Sequence, residues 1–336
     1  MFLCELRGSP VNSDRQVDRI GGMLRILLPL VMLVPAADAT GPLYELAGRF
    51  TPAGSASVSL FGVTAPYTDS TLSDVSGRFV FRKLQPGTYT LAVFLPADGE
   101  ARHTVEIGPS TADRHGRVRL ELDFKPEDFA RAPALNRHTV STRQLAIPDK
   151  ALRLYEEARH FLAHRDSASA IERLEAAVAL APQFSTAWNE MGTLAYQTQK
   201  YTRAAECFRQ ALAADPNAYE PLVNLGGVLI NLNQLDEAWD YNVHAVLLRP
   251  SDALAQSQLG MTYFQMGRPD MAEKHFAQAV ALDPAHFSHP QLYLAEIHLR
   301  RGDKKAAADD LAGFLEHHPD WPQAAKMRET IASLRQ

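Results

Sequence analysis

The chain has 336 residues, of which 46% are hydrophobic and 22% are charged, a composition that is ordinary for folded proteins and sufficient for two domains. The formal net charge is -5 at pH 7, and removing residues 1–39 leaves it unchanged because that segment holds four basic and four acidic side chains. A chain with this balance has no basic stripe to neutralise phosphates, so we expect no nucleic-acid partner.

The N-terminal segment has the pattern of a secretory signal. Met23 and one positive charge precede a nine-residue apolar run over residues 26–34, and Ala37-Asp38-Ala39 follows as a small-x-small triplet. The run is too short to span a bilayer, so we expect cleavage after Ala39 and an extracytoplasmic location, either periplasmic or secreted. Met23 then starts a normal signal; the alternatives are an unusually long n-region from Met1 and an uncleaved signal anchor. The mature chain would keep a single cysteine, Cys207, and no disulfide.

Residues 43–124 alternate between apolar and polar positions with a period of two, as half-buried strands do. The alternation is clear around Val58, Phe79, Leu91 and Leu120, and glycines separate the short runs. This spacing predicts an all-β sandwich of seven strands.

Two consecutive stretches in this region carry a more specific pattern. Residues 74–81 read DVSGRFVF and residues 84–91 read LQPGTYTL, with turn residues between apolar strands. The pair resembles the carboxypeptidase regulatory-like domain, a transthyretin-like sandwich. The resemblance implies a structural or adhesive role, and no zinc-ligand set of a peptidase accompanies it.

Residues 125–149 form the predicted linker, in which Pro126, Pro133 and Pro148 limit regular structure. Residues 139–145 could add an edge strand to the sandwich. We expect Pro148 and Asp149 to begin the first helix of the next domain, with Asp149 able to cap it.

From about residue 150 the chain repeats itself every 34 residues. Prolines close successive units at a spacing of 34, and the last follows after 35: Pro182, Pro216, Pro250, Pro284 and Pro319. Within a unit, positions 4, 7, 8 and 11 form one apolar stripe of a first helix, with glycine at position 8. Alanine at position 20 marks a second helix, and small residues at both positions predict that the two helices pack closely.

This register resembles the tetratricopeptide repeat (TPR) family over residues 151–336. The predicted fold is therefore multidomain: an all-β sandwich (residues 40–124), the linker, and an all-α TPR superhelix of about five helical hairpins plus a capping helix over residues 321–335. The units lie near 151–184, 185–218, 219–252, 253–286 and 288–321, named units 1 to 5 below.

Catalytic and metal-binding motifs are weak in this sequence. His160 and His164 have the spacing of a helical metal pair, but the residues between them are Phe-Leu-Ala rather than the Glu-x-x of a zinc protease. Four histidines near the last unit are interpreted as loop and helix-end residues: His286, His289, His317 and His318. We therefore expect no enzyme activity, no metal and no cofactor.

The resemblance also implies a binding surface. In TPR proteins positions 2, 5, 9, 12 and 13 of the first helices line a concave groove. Asn and Gln both donate and accept hydrogen bonds, which suits the backbone of an extended peptide, and the aromatic residues suit apolar side chains. A clamp for a free carboxylate is not expected, because Arg159 is almost the only cation at these positions. The predicted peptide-binding residues are Tyr155, Arg159, Asn189, Thr193, Tyr196, Gln197, Val223, Asn224, Asn231, Met261, Phe264 and Gln265. The alternative is that they are tolerated without binding, or that Phe264 packs between units.

Three classes of function stay open at this point. The first is a non-catalytic scaffold that binds a peptide or protein partner in the groove, without a membrane span once the signal is removed and with cell-envelope association as a further expectation. The second is an envelope- or carbohydrate-binding protein whose ligand site lies on the sandwich. The third, an enzyme with an unrecognised site, has the least support.

Overall fold

The computed structural model of the protein describes residues 42–63, 65–96, 98–129 and 146–336. The predicted signal segment and the proposed edge strand at residues 139–145 lie outside the described residues. Within them, a β-sandwich is followed by a helical solenoid. None of the helices described is long and apolar enough to cross a membrane.

The predicted sandwich is confirmed. Its seven strands are β1 (Tyr44–Thr51), β2 (Ser57–Gly62), β3 (Thr68–Leu72), β4 (Arg78–Leu84), β5 (Gly87–Leu95), β6 (Gly99–Ile107) and β7 (Arg117–Asp123). One sheet has the order β4-β1-β7 and the other the order β3-β2-β5-β6. All neighbours are antiparallel except β1 and β7, which run parallel.

The alternation of apolar and polar residues along the strands determines which side chains form the sandwich core. Alternate side chains point inward, so Val58, Leu91 and Val93 are fully buried between the sheets, while their neighbours face outward. At the turn before β4, Gly77 adopts a positive φ of 75° and the Asp74 side chain accepts the Ser76 and Arg78 amides. The expectation that this turn and the one at Pro86-Gly87 each close a hairpin is wrong, because β4 lies in the other sheet from β3 and β5. Tyr89 returns to the core and its hydroxyl donates to the Gln85 carbonyl.

The solenoid consists of paired helices followed by one more. The pairs are α1 (Asp149–Ala163) with α2 (Ser167–Leu180), α3 (Ser185–Gln197) with α4 (Tyr201–Ala214), α5 (Tyr219–Asn231) with α6 (Leu235–Leu248), α7 (Ala253–Gln265) with α8 (Pro269–Leu282) and α9 (Pro290–Arg300) with α10 (Lys304–His317). The capping helix α11 (Ala324–Leu334) begins three residues later than predicted. At the start of α1, Pro148 holds the N-cap position without a side-chain hydrogen bond, and Asp149 is in the first turn.

Close packing within each unit follows from the small residues. A Cβ atom added at Gly192 would lie 2.5 Å from the Phe208 ring, and one at Gly260 would lie 2.9 Å from the Phe276 ring. In unit 3 the Asn242 side chain takes the place of the ring, and it is fully buried and donates to Thr262. Position 8 therefore has no room for a side chain in these units.

Position 4 shows why a polar residue can occupy the apolar stripe. Trp188 and Gln256 donate a side-chain hydrogen bond to the carbonyl of the proline that closes the preceding unit, at 3.0 Å to Pro182 and 2.8 Å to Pro250. Gln291 does the same in unit 5. These bonds satisfy backbone carbonyls at the unit boundaries.

The glycine contact gives a direct test of the register. Gly226→Val places a branched side chain against Asn242, which cannot move aside without losing its bond to Thr262. We expect the free energy of unfolding to fall by about 1 to 3 kcal/mol. Gln234→Val, at an exposed position before α6, should change it far less. Equal shifts of the two denaturation midpoints in urea would contradict the packing described here.

Candidate functional site

The first helices of units 1 to 4 carry the predicted binding residues, and the inner surface of the first helices of units 1 to 5 is called the groove below. At its first end, the half-buried Tyr155 ring lies 5.1 Å from Phe184. The Arg159 guanidinium reaches out of α1 and donates to the Ser70 hydroxyl at 2.7 Å. Burial raises the pKa of Glu190 beside it, although the positive charge of Arg159 acts in the opposite direction.

The middle of the groove is rich in amides. Asn224 donates to the Asn189 side chain at 3.0 Å, which links units 2 and 3. Gln197 donates to the backbone carbonyl of Gly62 at 2.8 Å. The Tyr196 ring keeps 37% of its surface exposed, and Asn231 donates to a carbonyl of its own helix.

Not every predicted groove residue is open to a ligand. Val223 is 1% exposed and packs with Tyr219 and Leu222 in the core of unit 3. Thr193 donates to the carbonyl of Asn189 one turn earlier, and Met261 is half-buried between two hydrophobic clusters. These residues shape the groove, and their part in binding stays a prediction.

Phe264 packs between units 4 and 5, which is the alternative left open above. Its ring lies 5.6 Å from Tyr293 and 6.5 Å from Phe276, and the Arg300 guanidinium lies 4.9 Å above it. Gln265, the next residue along the chain, is exposed.

Unit 5 adds groove residues that the sequence reasoning missed. Gly302 follows Gly267 after 35 residues, so Tyr293, Glu296 and Arg300 occupy the same positions in unit 5 as Gln258, Met261 and Gln265 in unit 4. Arg300 forms an ion pair with the buried Glu296. Aligning the glycines that follow the first helices, rather than the prolines, would have revealed them.

The sandwich docks on this inner surface through the outer face of the sheet β3-β2-β5-β6. At units 1 and 2, Arg159 and Gln197 contact Ser70 and Gly62 as described above. Arg165, in the turn after α1, donates to the Tyr89 hydroxyl at 3.0 Å and stacks 4.8 Å from the centre of the Tyr67 ring. These contacts hold the β2–β3 hairpin (Ser57–Leu72), and Tyr89 on the neighbouring strand β5, against units 1 and 2.

A second set of contacts follows strand β6 along units 3 to 5. Each pair in the set joins one sandwich residue to a residue at a unit boundary: Arg102 with Glu220 at 3.1 Å, the Thr104 amide with the Asp283 carboxylate at 3.0 Å, Glu106 with His318, and the Ser110 amide with the Asp320 carboxylate at 3.0 Å.

Burial on the outer sheet face agrees with this docking. Thr68, Ala92 and Thr104 point away from the sandwich core, yet they are 5%, 3% and 3% exposed. Leu72 and Phe94, at the other end of the same face, stay exposed. The solenoid therefore covers part of the sheet and leaves one end open.

Histidines gather where β6 meets the last two units. His286 is 4% exposed and its Nδ1 atom accepts from the Ser288 amide, so the ring is neutral there. The rings of His289 and His318 lie 4.8 Å apart. In the part of the chain that the structure describes, no group of three or more His, Cys, Asp or Glu side chains is placed to hold a metal ion.

We expect low pH to reduce the stability of the protein through protonation of His286. Burial lowers the pKa of this ring and nearby His318 lowers it further, while Asp283 and Asp252 act in the opposite direction. Its contribution to stability is therefore complete above the unfolded-state pKa of about 6.5 and is lost as the pH falls below that value.

The matched variant is His286→Asn, whose amide oxygen can accept the same bond without titrating. From pH 7.5 to 5.5, we expect the free energy of unfolding of the natural chain to fall by about 1 kcal/mol relative to this variant. His164→Asn, at an exposed site, should follow the natural chain. A pH-independent difference between the natural chain and His286→Asn, measured by urea unfolding, would contradict the assignment.

Fold and surface together define a helical-repeat protein that carries a β-sandwich on its inner face. Family models described as tetratricopeptide repeat match residues 155–219, 189–242, 253–286 and 291–320. The repeats of this chain are tetratricopeptide repeats, and they form a TPR superhelix.

Curated relatives match the repeat region. The BBSome complex member BBS4 of Xenopus tropicalis is 28% identical over 140 residues, covering 41% of this chain and 27% of its own. The human Cell division cycle protein 16 homolog is 30% identical over 115 residues, covering 32% and 18%. Protein FlbA of Caulobacter vibrioides is 29% identical over 223 residues, covering 63% and 37%. The chain thus spans well under half the length of each of these relatives.

Solved structures resemble the repeats as well. MamA residues 41-end from Desulfovibrio magneticus RS-1 is 24% identical, with a TM-score of 0.46, covering 53% of this chain and 99% of its own. YrrB, described as a TPR protein with an unusual peptide-binding site, is 23% identical, with a TM-score of 0.45, covering 56% and 98%.

Proposed function

We propose that this protein is a non-catalytic scaffold that binds a protein partner through an extended segment held in the groove. The observation that carries the proposal is the hydrogen bond from the Gln197 amide to the Gly62 carbonyl. It is a groove side chain bound to a protein backbone, which is the chemistry expected of a peptide-binding surface.

The open part of the groove suits the rest of such a segment. Tyr196 is exposed at the centre, and Asn231 and Gln265 offer amides farther along the surface. Arg300 and Tyr293 lie beyond them around Phe264. Rings with polar edges and neutral amides favour a partner segment that mixes apolar side chains with free backbone groups.

The location we propose is extracytoplasmic, either periplasmic or secreted. Its support is the apolar run before Ala39 and the small-x-small triplet, both outside the described residues. We also propose that the sandwich is a carboxypeptidase regulatory-like domain, on the strength of the two turn motifs and the seven strands. Its role here is to occupy the inner face of the solenoid.

The alternative, a ligand site on the sandwich, has less support. The broad face of the sheet β3-β2-β5-β6 is partly covered by the solenoid, and the buried Ala92 and Thr104 on that face are not available to a ligand. The open end carries the apolar Leu72 and Phe94 rather than a set of polar groups suited to a carbohydrate.

Partner binding should depend on the centre of the groove. After crosslinking in the native envelope has identified the partner, Tyr196→Ala and Asn231→Ala should each reduce its affinity by about 1 to 2 kcal/mol, roughly a factor of 5 to 30. Phe264 is left unchanged because it packs between units. Isothermal titration with the purified chain measures the effect.

Leu247→Ala is the matched control, since Leu247 is 74% exposed on a second helix away from the groove. It should leave the affinity unchanged. If both groove variants bind as well as the natural chain while their circular dichroism is unchanged, the binding site lies elsewhere.

Processing gives a separate test of the location. Signal cleavage after Ala39 should leave a mature protein that begins at Thr40. N-terminal sequencing of protein recovered from the secreting cell measures this directly. A soluble cytoplasmic protein that keeps Met1 or Met23 would argue against an extracytoplasmic location.

A further inference from the structure

We infer that the β2–β3 hairpin is bound in units 1 and 2 as an internal ligand, and that the external partner presents its extended segment as a strand of a β-hairpin of the same kind and competes for the same groups. This inference rests on the proposed function, and it names the class of partner. It also explains why part of the inner surface is already occupied.

The contacts of the hairpin have the character of a bound ligand. Arg159 and Gln197 are groove residues, and each donates its side-chain N–H groups to an acceptor on the hairpin, the Ser70 hydroxyl and the Gly62 carbonyl. Arg165 adds a donor and a stacking surface at Tyr89 and Tyr67. In the contacts of Arg159 and Gln197 the solenoid supplies the donor and the hairpin supplies the acceptor, while Arg165 joins the Tyr67 ring of the hairpin to Tyr89 on the neighbouring strand β5.

The acceptors indicate which partners fit. A backbone carbonyl is present in every sequence, so Gln197 recognises the position of the chain rather than a particular side chain. What positions that carbonyl is the hairpin turn, in which a Cβ atom at Gly62 would overlap the Ala65 carbonyl. We therefore expect the partner to present a tight antiparallel hairpin with a glycine at the end of its first strand and hydroxyl groups on the docked face.

The covalent connection between sandwich and solenoid makes the internal hairpin a strong competitor. Because it belongs to the same chain, its effective concentration at the groove is about millimolar or higher. The second set of contacts, along β6 and the turn after it from Arg102 to Ser110, holds the sandwich in place independently. An external hairpin then binds only to the fraction of molecules in which the sandwich has moved away, which weakens its apparent affinity.

The test uses the full chain and a synthetic peptide of residues 57–72, cyclised through its termini to hold the hairpin. The second set of contacts is weakened by Arg102→Glu, which faces Glu220, together with Asp283→Ala and Asp320→Ala. None of these residues lies among the contacts of units 1 and 2. This triple variant should bind the peptide at least tenfold more tightly than the natural chain, measured by fluorescence anisotropy.

Two further changes in the triple variant test the groups that bind. Arg159→Ala with Gln197→Ala should abolish the gained affinity. The matched pair Arg203→Ala with Gln210→Ala removes the same residue types from exposed positions on α4 and should retain it. Equal peptide affinity of the natural chain and the triple variant, no binding by the folded triple variant, or binding that survives loss of Arg159 and Gln197 would each overturn the inference.

Hydrogen exchange keeps the inference testable if the triple variant does not fold. In the natural background, Arg159→Ala with Gln197→Ala should raise deuterium uptake in residues 57–72 and leave uptake in β4, on the other sheet, unchanged. Unchanged uptake in the hairpin would overturn the inference. The two proposals can fail separately. If the partner's affinity depends on Tyr196 but the peptide does not bind, the proposed function stands and the internal ligand is ruled out. If the peptide binds but the partner's affinity does not depend on the groove residues, the internal ligand stands and the proposed function is ruled out.

Discussion

The close approach of the two helices in each unit is the constraint on which the rest of the structure depends. Glycine at position 8 and a large side chain at position 24, such as Gly192 with Phe208, set the distance between the helices. Repetition of that distance every 34 residues brings the outer positions of successive first helices onto one surface. The groove, and the area on which the sandwich docks, exist because those positions repeat in register.

Much of the fold could be predicted because its causes are local and periodic. A period of two separates the two faces of each strand, and glycine and aspartate fix the turn at Asp74–Gly77. The repeat of 34 residues places Ala204 and Cys207 in the core without knowledge of any distant contact. Gln256 looked out of place on an apolar stripe, and the structure gives its reason, since the carbonyl of Pro250 needs a donor.

The docking of the sandwich could not be predicted in this way. Its contacts join residues that are far apart in sequence, such as Ser70 with Arg159 and Thr104 with Asp283, and several use backbone atoms that leave no trace in residue type. The same limit applies to the prediction of the groove residues. Phe264 is of a residue type that often contacts ligands, but it packs against Tyr293, which belongs to a unit whose register is shifted by one residue. Which predicted groove residues bind a partner stays a prediction.

Among the strands that the structure describes, β6 is the last of its sheet, and no described strand pairs with the amides on its other side. Asp283 accepts one of them, at Thr104, and the buried Ala92 lies on the same covered face. An unpaired strand edge is a template for another chain, and natural proteins protect such edges with charge or with a covering element. Here the solenoid provides both, a carboxylate on the edge and a helical surface over the face. Any event that lifts the sandwich also exposes this edge, so concentrated protein in that state risks association by strand addition, and the docked arrangement serves solubility as well as recognition.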